Sequence, residues 1–285
     1  MFNILNKNKE DRVLIKAKVP YLRNLIDHGI ELTYKPGCVG SGEGWKYWRN
    51  FGKWTKKVKG YKYVILGENY YNFDVSRYVK KRNPKCKVIV FFWNKMVYDW
   101  YFDLLKDPNV DEFYTFDKEE AEKYNFKLNS TFYTKGLKLK DNKITNDVLF
   151  LGRSKDREDE ILDIEKQIKK EKVKTDFRII KDEKDYIDYY DYLDLLSKSK
   201  AILDYNAFNQ SGLSLRVMES LFHKKKLITS NKTIKNYDFY NKNNIFIIGV
   251  DKWKDLNKFI NSKYEDVDEE IIDYYDFDNW IKRFK

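Results

Sequence analysis

Apolar positions along the chain fall into short runs separated by stretches with a helical period. Residues 30–34, 63–66, 87–93 and 112–116 are rich in β-branched and aromatic side chains and are short enough to be strands. Between them, residues 20–28 open with a proline at a helix start and stop at Gly29. Residues 74–82 and 118–124 also read as helices, the second with Asp117 as its N-cap. The second half repeats the rhythm, with strands at 147–151, 176–180, 200–205, 226–229 and 245–248. Helices are expected at 158–170, 186–197, 213–223, 252–261 and 265–284. Strands that alternate with helices pair in parallel, because each crossover returns the chain to the same edge of the sheet. Two such series predict an α/β protein of two Rossmann-like, doubly wound domains, residues 1–140 and 141–264, joined through the polar stretch 136–146. A helical tail, 265–285, is expected to pack back on the first domain, and the cleft between two such domains is the expected place for a site.

Composition allows this and narrows the setting. The chain has 285 residues, 42% of them hydrophobic, which is enough for two cores and excludes wholesale disorder. Its longest unbroken apolar run, 88–93, falls far short of the roughly 20 residues that span a bilayer. Nothing at the N-terminus reads as a signal peptide, and two cysteines, Cys38 and Cys86, cannot by themselves frame a disulfide scaffold or a metal site. A cytoplasmic protein is the expectation.

The net charge of +11 raises the question of nucleic acid. Only 10 of the 56 basic residues are arginine, the residue that nucleic-acid surfaces recruit for its fork geometry and stacking. A lysine-heavy chain rich in Asn, Ile, Tyr and Phe fits the codon bias of an AT-rich genome, and no nucleic-acid partner is expected. Placement is more informative than the total. Residues 1–140 carry 28 Lys and Arg against 16 Asp and Glu, whereas residues 141–285 carry 28 against 29. The first half is expected to face something anionic.

The richest segment runs from Asp204 to Asn231. Gln210, Ser211 and Gly212 are polar or small residues placed between a strand and a helix, where free backbone N–H groups emerge and attract a diphosphate. Ser214 stands beside them at the helix start. Arg216 and Glu219 lie three apart, one turn further in, where an arginine can reach phosphate and a glutamate can accept from ribose hydroxyls. The same spacing also fits a plain Arg–Glu surface pair on a capped helix.

The run Gln210-Ser-Gly-Leu-Ser-Leu-Arg-Val-Met-Glu-Ser-Leu221, followed by Lys225-Lys-Leu-Ile-Thr-Ser-Asn231, resembles bacterial glycosyltransferases of lipopolysaccharide-core and capsule biosynthesis. Asp147-Val-Leu-Phe-Leu-Gly-Arg-Ser-Lys-Asp-Arg157 is similar to the opening of their donor domain, and Tyr114-Thr-Phe-Asp-Lys118 to the motif that closes their N-terminal domain. The resemblance implies the two-domain GT-B fold and transfer of a sugar from a nucleotide-sugar to a growing surface glycan, on a lipid-linked or glycan acceptor. A catalytically silent module of the same fold, binding a nucleotide or glycan, is the alternative. It further implies that Glu219 meets the donor ribose and that Gly152, Arg153, Lys155 and Arg157 face the donor diphosphate. Gln210, Ser211, Gly212, Ser214 and Arg216 complete the donor set. The earlier glutamate of the better-known retaining enzymes, eight residues before the later one, is here Ser211.

Such chemistry builds negative charge on a leaving phosphate, which fixed cations and helix amides stabilise in the transition state. No cofactor is expected beyond the nucleotide-sugar itself, and no metal. Asp266-Val-Asp268 and Asp276-Phe-Asp278 have the metal-holding spacing of a different glycosyltransferase fold, but they sit in an acidic helical tract and read as a solvated helix face.

The first half supplies the acceptor side. Residues 36–44 form a glycine-rich stretch that matches neither a Walker loop nor a dinucleotide fingerprint, and reads as a loop at the cleft or a plain surface loop. Residues 45–57 interleave Trp with Lys and Arg, which fits an anionic membrane surface, stacking on sugar rings, or the packing of an amphipathic helix. Candidate catalytic bases are Glu68, at the carboxyl end of a predicted strand, and Asp117, with His28 and Glu43 behind them.

Overall fold

Every strand pair among the described residues is parallel, as the alternation of elements predicts, and the strands form two sheets. The structure, a computed structural model, describes residues 12–16, 30–32, 58–68, 73–96, 99–153, 157–182, 185–205 and 212–284. For 12–16, 30–32 and 73–74 only the backbone is described. The chain divides into two units, Met1–Ser130 with Ile281–Lys285, and Thr131–Trp280. The predicted helix at 20–28, the glycine-rich stretch 36–44 and the Trp-rich stretch 45–57 lie outside the described residues, as do His28 and Glu43.

The first unit holds β1 (Arg12–Lys16), β2 (Ile30–Leu32), β3 (Tyr61–Gly67), β4 (Lys87–Phe92), β5 (Glu112–Thr115) and β6 (Lys127–Leu128), in the order β2-β1-β3-β4-β5-β6. Helices α1 (Phe73–Arg82), α2 (Trp100–Leu104) and α3 (Lys118–Tyr124) connect them. Both faces of the central strands are buried, which explains why β4 reads as an unbroken apolar run rather than an alternating one. Val88, Val90 and Phe92 pack with Val64, Leu66, Val75 and Val79. Phe91, on the opposite face, meets Phe284 edge-to-face at 5.8 Å, and Tyr114 packs on the same ring at 4.7 Å. β1 and β6 were not evident in the pattern: one is three apolar residues between cations, the other only two residues long.

The second unit holds β7 (Asn146–Arg153), β8 (Thr175–Ile180), β9 (Ser199–Asp204), β10 (Lys226–Thr229) and β11 (Ile245–Ile247), in the order β11-β10-β9-β7-β8. Its helices are α4 (Glu158–Lys170), α5 (Tyr189–Ser197), α6 (Leu215–Phe222), α7 (Leu256–Asn261), α8 (Glu269–Tyr275) and α9 (Phe277–Trp280). Helix α4 buries Ile161, Ile164 and Ile168, the three- and four-residue spacing of one helical stripe, against Val148, Phe150, Ala201 and Leu203.

Two expectations about the chain's organisation are corrected. The units part at Ser130/Thr131 rather than at residue 140. Phe132 stacks on Phe277 and Trp280 at 5.0 and 4.1 Å, and Tyr133 exchanges backbone hydrogen bonds with Tyr275 and Phe277, so this segment belongs to the second unit. The tail is not one helix over 265–284. It breaks at Asp276, whose extended backbone (φ −72°, ψ 141°) forms the bridge to Tyr133 while its carboxylate accepts from the Lys135 amide at 2.8 Å. Only Ile281–Lys285 joins the first unit; α8 and α9 stay with the second.

Candidate functional site

In the second sheet, β8 lies on one side of β7, and β9, β10 and β11 lie on the other. The chain therefore leaves β7 and β9 in opposite directions, and the carboxyl ends of two such strands are the usual place for a ligand in a sheet of this kind. β7 ends at Gly152 and Arg153, and β9 at Asp204. The segment after β9 leads to α6, so Ser214 and Arg216 return to the same strand ends.

Arg216 reaches from α6 back to these strand ends. Its Nη2 donates to the Leu151 carbonyl at 2.7 Å, its guanidinium lies over the Phe150 ring at 5.4 Å, and Nη1 stands 3.9 Å from Asp204 Oδ1. This explains Gly152. A Cβ there would fall 2.4 Å from Arg216 Nη2 and 3.2 Å from Phe150, so any side chain displaces the guanidinium. Asp204 is fully buried and accepts from Ser214 Oγ at 2.7 Å and Thr229 Oγ1 at 2.9 Å, which ties α6 and β10 to the end of β9. Ser214 is the N-cap of α6, but with its hydroxyl turned to Asp204 it makes no side-chain cap, and the first-turn N–H groups gain no partner from it. Gly212 is buried just before it.

Two further arginines flank this point. Arg157 donates from Nη1 to the Tyr205 carbonyl at 2.9 Å and lies over the Tyr205 ring at 5.6 Å, while its Nε is buried without a hydrogen-bond partner. Arg153, exposed, lies over the ring of Tyr186 at 5.1 Å. Among the described residues neither Arg153 nor Arg157 pairs with a carboxylate. The Tyr205 hydroxyl donates to Glu160 at 2.7 Å, and burial first, then Glu160, pushes it up to about 12. Of the residues expected at a donor, Gly152, Arg153, Arg157, Ser214 and Arg216 thus belong to these strand ends, while for Gly212 only burial is seen. Lys155, Gln210 and Ser211 lie outside the described residues.

Glu219 is buried, though still within electrostatic range of Arg216 and Asp204. Expected at a ribose beside Arg216, it is instead 1% exposed, and its two oxygens accept from the hydroxyls of Tyr189 and Tyr192 at 2.8 and 2.6 Å. Burial raises its pKa, and the two tyrosine bonds pull it part of the way back. Three residues along α6 place Glu219 against α5 while Arg216 turns to the strand ends, so neither a shared ligand face nor a surface ion pair describes them. Sequence reasoning placed Asp204, Tyr205 and Thr229 within the richest segment without giving them a role, and missed Tyr186 altogether. Asp204 and Thr229 are register partners at the ends of adjacent strands, a signal visible only after pairing is known.

The candidate bases of the first unit are structural in their contacts. Glu68, 1% exposed at the end of β3, accepts from the Trp93 amide at 2.9 Å and Asn94 Nδ2 at 2.6 Å, and burial raises its pKa. Asp117, 2% exposed, caps α3 by accepting from the Glu120 amide at 3.0 Å and stands 3.3 Å from Lys95 Nζ. Asp117→Ala is expected to lower stability by about 1–2 kcal/mol, the usual worth of an N-cap, read by urea unfolding. A variant as stable as the parent would show the cap to be idle.

The aspartate pairs of the tail also differ from a single solvated face. Asp266 pairs with Lys224 on the surface and Asp268 caps α8, but Asp276 is buried and its pKa is raised by that burial. Among the described residues no group of three His, Cys, Asp or Glu side chains could hold a metal ion, and no helix is long and apolar enough to cross a membrane.

No family model matches the chain, and no curated protein matches it. Among solved structures it is similar to an NAD+-bound 3-phosphoglycerate dehydrogenase of Entamoeba histolytica, at 12% identity over 88% of this chain and 92% of that one, with a TM-score of 0.20. A TM-score that low says nothing about fold or activity.

Proposed function

We propose that the second unit holds a nucleoside diphosphate-sugar at the switch point of its sheet, and that the chain transfers the sugar to a growing surface glycan as a GT-B glycosyltransferase. One observation carries the binding half of this reading. Two guanidinium groups with no carboxylate partner among the described residues, Arg153 at the end of β7 and Arg157 on the Tyr205 carbonyl just after β9, stand at the strand ends to which Ser214, the N-cap of α6, is tied through Asp204. Fixed cations and the amides of a helix start favour a diphosphate at such a point, and favour it more as the leaving group gains charge. The transfer half rests on the likeness of residues 147–157 and 210–231 to glycosyltransferase motifs. The acceptor is a glycan or lipid-linked glycan, met at the cytoplasmic face of an anionic membrane. That placement draws on the basic balance of residues 1–140.

A panel of nucleoside diphosphates tests the binding half, because a ligand that binds only the folded chain raises its melting temperature. At least one is expected to do so in the parent. Gly152→Ala, which drives Arg216 from its seat, and Arg153→Ala are each expected to weaken that ligand about tenfold, the worth of one charge-assisted contact. Unchanged affinity in both variants, or no stabilisation by any member of the panel, would remove the reading. Sugar transfer from the matching nucleotide-sugar then tests the rest. A catalytically silent binding module is the second reading, favoured by the commitment of both Glu68 and Asp117 to structural hydrogen bonds.

A further inference from the structure

Two Arg–Tyr pairs stand at the carboxyl edge of the second sheet, and they are not equivalent. In the Arg157–Tyr205 pair the tyrosine has a structural duty: its hydroxyl is bonded to Glu160 and its carbonyl to Arg157. In the Arg153–Tyr186 pair the tyrosine has none. Tyr186 is 47% exposed, its hydroxyl makes no hydrogen bond among the described residues, and it belongs to neither hydrophobic cluster. Its place is set by topology. β7 and β8 run side by side to a last register pair, Arg153 with Ile180, and the chain leaving β8 carries Tyr186 back over the end of β7.

We infer that Tyr186 is the platform on which the nucleobase of a bound nucleoside diphosphate stacks, so that the site takes nucleosides in preference to inorganic diphosphate. The inference rests on the diphosphate reading above and adds a residue and a selectivity to it. An aromatic face is offered to any base, because every base has a π-face, and a neighbouring guanidinium adds a cation for the phosphate next along. Nearly half of Tyr186 is open even with Arg153 against its ring, leaving surface for a second planar group. The spacing is chemically sensible as well. A base on Tyr186 puts the attached phosphates at the next position of the same edge, where Arg153, Arg216 and Arg157 follow along the ends of β7 and β9.

Titration calorimetry with uridine diphosphate, guanosine diphosphate and inorganic pyrophosphate tests this. The parent is expected to bind a nucleoside diphosphate more tightly than pyrophosphate. Tyr186→Ala should weaken the nucleoside diphosphate about tenfold, as loss of one base–aromatic stack does, and leave pyrophosphate unchanged. Tyr186→Phe, which keeps the ring, should bind as the parent does, and both variants should melt with it because the side chain is exposed. If the parent binds a nucleoside diphosphate and Tyr186→Ala binds it equally well, the platform is refuted while the diphosphate site stands. Equal losses for nucleoside diphosphate and pyrophosphate refute it too, since the ring would then act on the phosphates alone. If the parent binds neither pyrophosphate nor any nucleoside diphosphate of the panel, both readings fall together.

Discussion

Glu219→Ala is expected to destabilise the second unit by about 3 kcal/mol or more, the cost of removing two hydrogen bonds to a buried carboxylate and stranding their donors. Both oxygens of Glu219 are engaged; of the donors, Tyr192 is 7% exposed and has no route to water, whereas Tyr189 is half-buried and also touches the Tyr133 hydroxyl. Alanine removes the acceptor and leaves two hydroxyls facing a void between α5 and α6. Glutamine keeps one acceptor oxygen but turns an NH2 group toward the other hydroxyl, so Glu219→Gln should lose less. It should also bind nucleoside diphosphates as the parent does, because the parent's carboxylate is committed to tyrosines. Urea unfolding of the three proteins decides the first point. An alanine variant with the parent's midpoint would show that these bonds hold nothing. A selective loss of nucleotide affinity in the glutamine variant would restore Glu219 to a ligand-contacting role. The glutamate also has a pH signature. Its folded pKa is raised above 4.5 by burial, so its contribution is present at low pH and fades as pH rises from the unfolded value through the folded one. Glu219→Gln should flatten that part of the profile.

His223→Gln is expected to remove a stability loss of about 3 kcal/mol that the parent suffers on acidification, a figure that follows from the shift in its pKa. The imidazole is held down to about 4 from its ordinary 6.5, by burial first and then by the charges of Lys225 and Lys138. The unfolded chain takes up this proton as pH falls below 6.5 and the folded chain does not until about pH 4, so stability declines across that window. Hydrogen counting shows why the neutral ring is bound so well. The one hydrogen of Tyr189 goes to Glu219, so in the 2.8 Å contact between hydroxyls Tyr133 must donate to Tyr189. Tyr133 then accepts from His223 Nε2 at 2.9 Å, which fixes the proton of the neutral ring on Nε2. Protonating Nδ1 breaks none of these bonds; the opposition comes from placing a charge in a buried site. Unfolding free energies of parent and His223→Gln between pH 7 and pH 4 give the test as their difference, which cancels the opposing slope of Glu219. A difference that stays flat over that range would mean that His223 meets water freely.

The network that produces both effects runs from His223 through Tyr133 and Tyr189 to Glu219, across residues 90 positions apart. No spacing rule could join them. In sequence, His223 reads as a decoration of a lysine-rich helix end and Glu219 as one half of an Arg–Glu pair. Helix periodicity correctly places Arg216 and Glu219 one turn apart, but it cannot say which neighbours that turn faces. The helix start before Leu215, by contrast, was legible, because a small polar cluster between a buried strand and an amphipathic run has few other uses.

What the chain's pattern determined by itself is local: which segments are strands, which are helices, and that strand–helix alternation forces parallel pairing. Those outcomes depend on residues near one another in sequence, through side-chain period, capping and chain sterics, as at Asp117 before α3. The tertiary structure alone decided strand order, and with it the switch point that gathers Gly152, Asp204 and Arg216. It also decided the unit boundary at Ser130/Thr131, the break of the tail at Asp276, and the burial of Glu219. The physical reason is common to all of these. Each depends on which distant surfaces exclude water from one another, and burial energy is a property of the packed pair that neither partner's sequence carries alone.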